Sequence, residues 1–257
     1  ESRGLGDVYK RQAKTEKLVE EAKTSPYHVK AVKPLPSRKI NKQVPLIDCF
    51  IAPCKEGCPI HQDITTYLQL VEAGKYEEAM DVITEKNPLP FITGTICAHA
   101  CMGKCTRNFY ESPVHIREMK LEAAQNGYEA LMKKLTAPAI TKEGKAAVIG
   151  GGPAGMAAAY FLRRAGMAVT VFEKNDALGG VVRHVIPEFR IPGTSIDKDA
   201  ALLEKMGVEV RLNTEVKDTA ALKAEGFTTV ILAVGASEPG VLRLEQGEAK
   251  NALEFLA

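Results

Sequence analysis

The spacing of apolar and polar positions changes character near residue 145. Before it, apolar residues recur at helical intervals. Ile64, Tyr67, Leu68 and Val71 share one helix face behind Asp63, placed as an N-cap, and Gly74 stops that helix. Residues 76–84 make a second short helix, ended by Asn87 and Pro88. After Pro113 a longer helix runs to about Lys134, with Ile116, Met119, Leu121, Ala124, Tyr128 and Leu131 expected to be buried. Beyond residue 145 the pattern becomes short continuous apolar runs, at 146–149, 168–172, 208–212 and 228–234, as buried parallel strands show. Helical stretches separate them: one ending at Gly166, one over 194–206 with Thr194 and Asp197 spaced like a capping box, and one over 218–225. Alternating strands and helices predict an α/β layer structure. Residues 136–144, with Pro138 and Gly144, are the best domain boundary. The fold class expected is a helical domain followed by a Rossmann-like α/β domain.

The first α/β unit carries candidate chemistry. Gly150, Gly151, Gly152, Pro153, Ala154 and Gly155 fit the G-x-G-x-x-G pattern between the first strand and its helix. Gly150 permits the tight turn, Gly152 lets backbone approach a pyrophosphate, and Gly155 allows close helix–strand packing. The helix start offers free N–H groups to phosphate. Glu173 closes the second strand, where a carboxylate can accept from a ribose 2′-OH, and Lys174 follows it. The strand, helix, second strand and acid together make a dinucleotide site the favoured reading over a Gly-rich helix start. Residues 146–162 are uncharged, but the run falls short of a membrane span and holds five Gly/Pro positions. Gly179 and Gly180 let backbone approach something flat or bulky, or else make a plain turn.

Composition narrows the class little. The 257 residues carry a net charge of +2, which argues for neither nucleic acid nor a membrane surface. No signal peptide or spanning segment is visible. All six cysteines, Cys49, Cys54, Cys58, Cys97, Cys101 and Cys105, lie in one block, with Pro59 after Cys58. Thiolates at such intervals suit an iron–sulfur centre, while zinc and disulfides stay open. A local cysteine cluster beside a nucleotide domain favours a reduced cytoplasm. Six cysteines are two short of the eight that two all-cysteine clusters need. His61, His99, Glu118, Lys120, Glu122 and Gln125 are the nearby non-cysteine candidates. Residues 1–12 match nothing that follows and are read as a non-native artefact, so the natural chain is expected to continue upstream. Residues 13–45 read as a helix (13–23) and a Pro-rich linker.

With these residues in view, the chain resembles a known family. The Gly150–Gly155 loop, Glu173, Leu178, Gly179 and Gly180, residues 186–190 and residues 233–236 resemble the FAD domain of the glutamate synthase small subunit and its relatives. The cysteine block is similar to the N-terminal iron–sulfur domain of that subunit and of dihydropyrimidine dehydrogenase. Residues 45–50, 87–94, 101–108 and 120–124 are most like flavoprotein subunits of the selenate reductase type. The resemblance implies a helical 4Fe–4S domain over 46–135, a linker over 136–144 and an FAD-binding domain over 145–257. It implies two 4Fe–4S clusters, one on Cys49, Cys54 and Cys105, the other on Cys58, Cys97 and Cys101. The family has a further cysteine where Leu46 stands and Gln or Glu where Lys120 stands, so this chain departs at both. FAD would be held by Gly150, Gly152, Pro153, Ala154, Gly155, Glu173 and Lys174, with Gly179, Gly180 and Arg190 toward the isoalloxazine and Gly235 at the closing loop. The resemblance also implies an NAD(P)H domain after residue 257 and a return of the chain to finish the FAD domain. On that reading the sequence is an internal fragment, inactive alone.

The expected activity is electron transfer from NAD(P)H through FAD and iron–sulfur clusters to a partner subunit or further domains. No acid–base pair or nucleophile is visible, and none is needed for it. Two other classes remain: an NAD-dependent dehydrogenase with a structural zinc domain, and a non-enzymatic docking module whose cysteines bind zinc.

Overall fold

The computed structural model describes residues 51–109, 112–236, 246–247 and 250–256. The expected helix over 13–23, the Pro-rich linker and Cys49 lie outside the described residues. Residues 52–257 form one unit, and its elements are as follows.

The first part is helical: α1 (Pro53–Glu56), α2 (Ile64–Glu72), α3 (Tyr76–Lys86), α4 (Pro90–Ile96), α5 (Ala100–Gly103), a 3₁₀ turn (Thr106–Phe109) and α6 (Ile116–Lys134). Helix α2 buries Ile64, Tyr67 and Val71, as its apolar spacing predicts. Asp63 occupies the N-cap position, but its carboxylate accepts from the Thr65 and Thr66 hydroxyls rather than a backbone N–H. The long helix α6 crosses α3 and α4 at glycines. A Cβ on Gly127 would stand 2.5 Å from the Tyr76 carbonyl oxygen, and one on Gly94 would stand 3.0 Å from Leu121 Cα. Close backbone approach at these two points explains small residues inside helices that otherwise favour larger side chains.

The second part is a four-stranded parallel sheet in the order β3-β2-β1-β4. Its strands are β1 (Lys145–Ile149), β2 (Ala168–Phe172), β3 (Glu209–Arg211) and β4 (Phe227–Leu232). Helix α7 (Pro153–Arg164) links β1 to β2; α8 (Val181–His184) and α9 (Gly193–Lys205) link β2 to β3; α10 (Thr219–Ala224) links β3 to β4. Helix α11 (Ala252–Leu256) follows. Asp218 caps α10 by accepting from the Ala220 N–H at 2.8 Å. The expected capping box at α9 is not formed: Thr194 lies inside the helix, no side chain caps it, and Asp197 pairs with Arg183 instead. The segment 136–144, expected as a domain boundary, is tied down by buried Arg163, which donates to the carbonyls of Pro138 at 2.5 Å and Gly207 at 3.3 Å.

The two parts share cores. Leu202 of α9 packs into the helical core, while Leu89 and Ile92 pack into the core of the sheet domain. Asp199 of α9, fully buried, accepts from the N–H groups of Phe91 (3.1 Å) and Ile92 (2.7 Å) at the start of α4. Phe91 meets Tyr128 edge to face at 5.4 Å, and the Tyr128 hydroxyl donates to the Lys198 carbonyl at 3.2 Å. The interface is therefore specific as well as apolar.

Candidate functional site

A cavity of about 530 Å³ opens at the C-terminal ends of the strands, where open α/β sheets bind ligands. Gly150, at φ 104°, makes the turn out of β1. Its N–H donates to the Phe172 carbonyl at 2.8 Å, and a Cβ here would stand 2.4 Å from the Ala233 carbonyl oxygen. A Cβ on Gly155 would stand 1.9 Å from the Gly150 carbonyl oxygen, so α7 packs directly on the turn. Gly152 differs: the nearest atom to its hypothetical Cβ is Gly180 Cα at 3.8 Å, which leaves its cavity side bare. That bare backbone at the start of a twelve-residue helix is the cradle a pyrophosphate requires.

Glu173 is buried, and both of its carboxylate oxygens are engaged. Oε2 accepts from the Gly151 N–H at 2.6 Å, and Oε1 accepts from the Asn175 N–H at 2.9 Å. The side chain thus pins the glycine loop to the end of β2. A carboxylate has about four lone-pair sites, so acceptor capacity remains toward the cavity it lines.

Gly150, Gly152, Pro153, Ala154, Glu173, Lys174, Gly180 and Gly235 of the expected set line the cavity. Gly155, Gly179 and Arg190 do not. Gly155 is covered by the turn it packs on. Gly179, at φ 127°, donates its N–H to the Gly151 carbonyl at 2.8 Å and stands behind the loop. A Cβ on Gly180 would stand 2.9 Å from Gly152 Cα, so this glycine pair serves backbone-to-backbone packing. Arg190 is exposed, away from the cavity wall, at the turn closed by Pro187.

Sequence reasoning missed Asn175, His184, Thr214, Glu215 and Val216. The last three reach the cavity because Asn213 and Thr214 donate N–H groups to the carbonyls of Asn175 and Glu173, laying the loop after β3 across the loop after β2. The rule that strand C-termini line such sites could have found them.

The cysteines come together in the helical part. Helix α1 packs against α5, and a Cβ on Gly57 would stand 2.7 Å from Lys104 Cγ, so the two cysteine runs face each other closely. Cys58 and Cys101 are buried; Cys54, Cys97 and Cys105 are half-buried, and these five are free thiols. Burial pushes the Cys54 thiol up, with Cys105 and then Cys58 adding to it. Burial likewise raises Cys101, with Cys58 and Cys97 as its neighbours. Cys58 is thus a charge neighbour of both Cys54 and Cys101. Tyr67, raised chiefly by burial, lies beside both. The His99 N–H donates to Cys97 Sγ at 3.4 Å.

His61 and His99 both adopt left-handed backbone, at φ 49° and 44°, and so turn the chain within the cysteine runs. His99 Nδ1 lies 3.2 Å from the Cys97 carbonyl and 3.4 Å from Arg117 Nη1, and is thereby occupied. Glu118 pairs with Arg117, and Glu122 accepts from the Tyr76 hydroxyl. Among the described residues no three His, Cys, Asp or Glu side chains converge as ligands of a single metal ion would. The donor set is soft thiol sulfur, the type that holds iron–sulfur clusters and that zinc also takes. No described helix is long and apolar enough to cross a membrane.

Comparisons with known proteins agree with this division. Residues 37–131 match the family described as dihydropyrimidine dehydrogenase domain II, 4Fe–4S cluster. Residues 148–212 match the NAD(P)-binding Rossmann-like domain. The chain is 38% identical over 93% of its length to YgfK, a provisionally named oxidoreductase of Escherichia coli (strain K12), of which it covers 23%. It is 33% identical over 82% of its length to the glutamate synthase (NADPH) small chain of Mycobacterium tuberculosis (strain ATCC 25618 / H37Rv), covering 44% of that protein. It is 31% identical over 81% of its length to PreT, a subunit of the NAD-dependent dihydropyrimidine dehydrogenase of Escherichia coli (strain K12), covering 52%. The chain thus spans between about a quarter and a half of the curated relatives it matches.

Proposed function

We propose that this chain, a homologue of the oxidoreductases just described, is the iron–sulfur and FAD-binding part of an enzyme that moves electrons from NAD(P)H to a partner subunit or further domain. The reading is carried by one observation: the cysteine-bearing helices and the dinucleotide cavity belong to a single packed unit, joined through α4 and α9. Bound FAD would exchange a hydride for single electrons, and bound clusters would relay them.

The chain's own residues supply position. Gly152, Pro153 and Ala154 would receive the pyrophosphate, and Glu173 would fix the loop and offer an acceptor to the ribose. Cys49, Cys54 and Cys105 would serve one cluster, and Cys58, Cys97 and Cys101 the other. Helix α4 leads straight into Cys97, and its start is held by Asp199, so the cluster side is anchored to the dinucleotide domain. A cytoplasmic setting fits these free thiols. The selenate reductase and glutamate synthase types are both compatible with this chemistry, because none of the site residues selects a terminal acceptor.

A second reading has one observation in its favour: the matched Rossmann-like family is described as NAD(P)-binding. On it the cavity takes NAD(P) itself. The absorption spectrum of anaerobically purified protein decides between them. Flavin bands together with iron support the proposal; a colourless protein that binds NAD(P) overturns it.

A further inference from the structure

Two side-chain atoms among the described residues are buried without a hydrogen-bond partner, Arg163 Nη1 and His184 Nε2. The Arg163 guanidinium is otherwise engaged, because its other two nitrogens donate to the Pro138 and Gly207 carbonyls. His184 stands elsewhere. It closes α8 and, with Val181 and Val185, lines the dinucleotide cavity. The wall that carries it is fixed at several points. The Gly179 N–H donates to the Gly151 carbonyl at 2.8 Å, and the His184 N–H donates to the Gly180 carbonyl at 3.0 Å. Arg183 Nε donates to the Leu178 carbonyl at 2.6 Å, and Arg183 Nη2 pairs with Asp197 of α9. Gly180 in turn abuts Gly152, the bare backbone of the phosphate cradle. His184 follows Gly180 by about one helical turn, roughly 6 Å. A buried polar nitrogen left unpaired destabilises a fold. Such an orphan is explained where a ligand supplies the missing partner.

We propose that His184 is a cofactor-binding residue whose Nε2 hydrogen-bonds an oxygen of the ribityl–pyrophosphate chain of FAD. The inference rests on the FAD reading above and adds a contact that reading leaves unassigned. On that reading Glu173, at the end of β2, serves the adenosine ribose, so the α8 wall is left for the chain that runs on from the cradle. Phosphate and hydroxyl oxygens are the polar groups of that chain. An imidazole nitrogen can donate to either, or accept from a hydroxyl. Nε2 is covered in this conformation. A turn of the ring about χ2, which is broad for histidine, brings it to the cavity without breaking a hydrogen bond.

The test compares the full chain with His184→Leu and His184→Gln, each stripped of flavin and titrated anaerobically with FAD and, separately, with ADP. His184→Leu should weaken FAD binding roughly five- to tenfold. His184→Gln, whose amide nitrogen reaches a similar position, should recover most of that loss. The melting temperature of the flavin-free protein should stay level or rise in His184→Leu, because an unpaired buried nitrogen has given way to carbon. A loss confined to FAD places the bond on the ribityl chain, and an equal loss for ADP places it on the pyrophosphate. Unchanged FAD affinity in His184→Leu, or an equal loss in both variants with a lowered melting temperature, would make His184 a packing residue. Either result would overturn the inference and leave the FAD reading standing. Wild-type protein that binds NAD(P) and no FAD would overturn both, so the two failures are distinguishable.

Discussion

Replacing Asp199 with alanine should destabilise the joined domains most at acid pH, the reverse of what an ion-paired aspartate does. In the structure its two carboxylate oxygens accept from the Phe91 and Ile92 N–H groups. Alanine leaves both donors buried and unpaired, at about 1–3 kcal/mol each, or roughly 4 kcal/mol together. The carboxyl is itself costly to ionise there: burial pushes its pKa from 3.8 up to about 7, against the two N–H bonds and Lys120, which pull it down. A group with a raised folded-state pKa contributes its full stability below the unfolded value and loses it as pH rises through the folded value. The window is therefore about pH 4 to 7, and the loss across it is on the order of 4 kcal/mol. The wild-type advantage over Asp199→Ala should be large near pH 4 and shrink toward pH 8. Urea denaturation of both proteins across that range, followed by far-UV circular dichroism, measures it. A difference that grows with pH would mean the carboxylate is stabilised as an ion, and the burial argument would be wrong.

Three further outcomes follow from the same geometry. Gly127→Ala drives a Cβ into the Tyr76 carbonyl; it should cost about 2 kcal/mol and lower the melting temperature by roughly 4–8 °C in a thermal scan. Glu173→Ala removes the acceptor for the Gly151 and Asn175 N–H groups. Flavin affinity, titrated after stripping the cofactor, should fall at least about tenfold, a loss of some 1.4 kcal/mol; an unchanged affinity would separate the loop anchor from binding. Cys101→Ser should roughly halve the bound iron measured per chain while the flavin content stays level, because only one of two cysteine groups is broken.

Much of the sheet domain was legible in the residues because local signals agreed with global ones. Four apolar runs became the four parallel strands, and the glycine loop fell between β1 and α7 as its spacing required. The helices α2, α3 and α6 followed the same logic. The short helices α1, α4, α5 and α8 did not, since four to seven residues carry little periodicity, although the six-residue α10 was expected within 218–225. Asp197 shows a second kind of limit: its capping-box spacing was present, but Arg183, fourteen positions away, took the carboxylate. Arg190 and Gly179 belong with it, because which residues face a cavity depends on loop paths and not on proximity in sequence. Asp199 gave no signal at all. Its role exists only because α9 lies against the start of α4, some 107 positions earlier in the chain.

The central claim is that the unit holding these cysteines and this cavity binds flavin and iron together. Anaerobic purification of the full chain, with its visible spectrum and its iron, sulfide, zinc and FAD contents, tests that most directly. Flavin bands with about eight irons per chain are the predicted result, reflecting two four-iron clusters. Zinc in place of iron, with no flavin, would contradict the account and make the chain a metal-stabilised binding module.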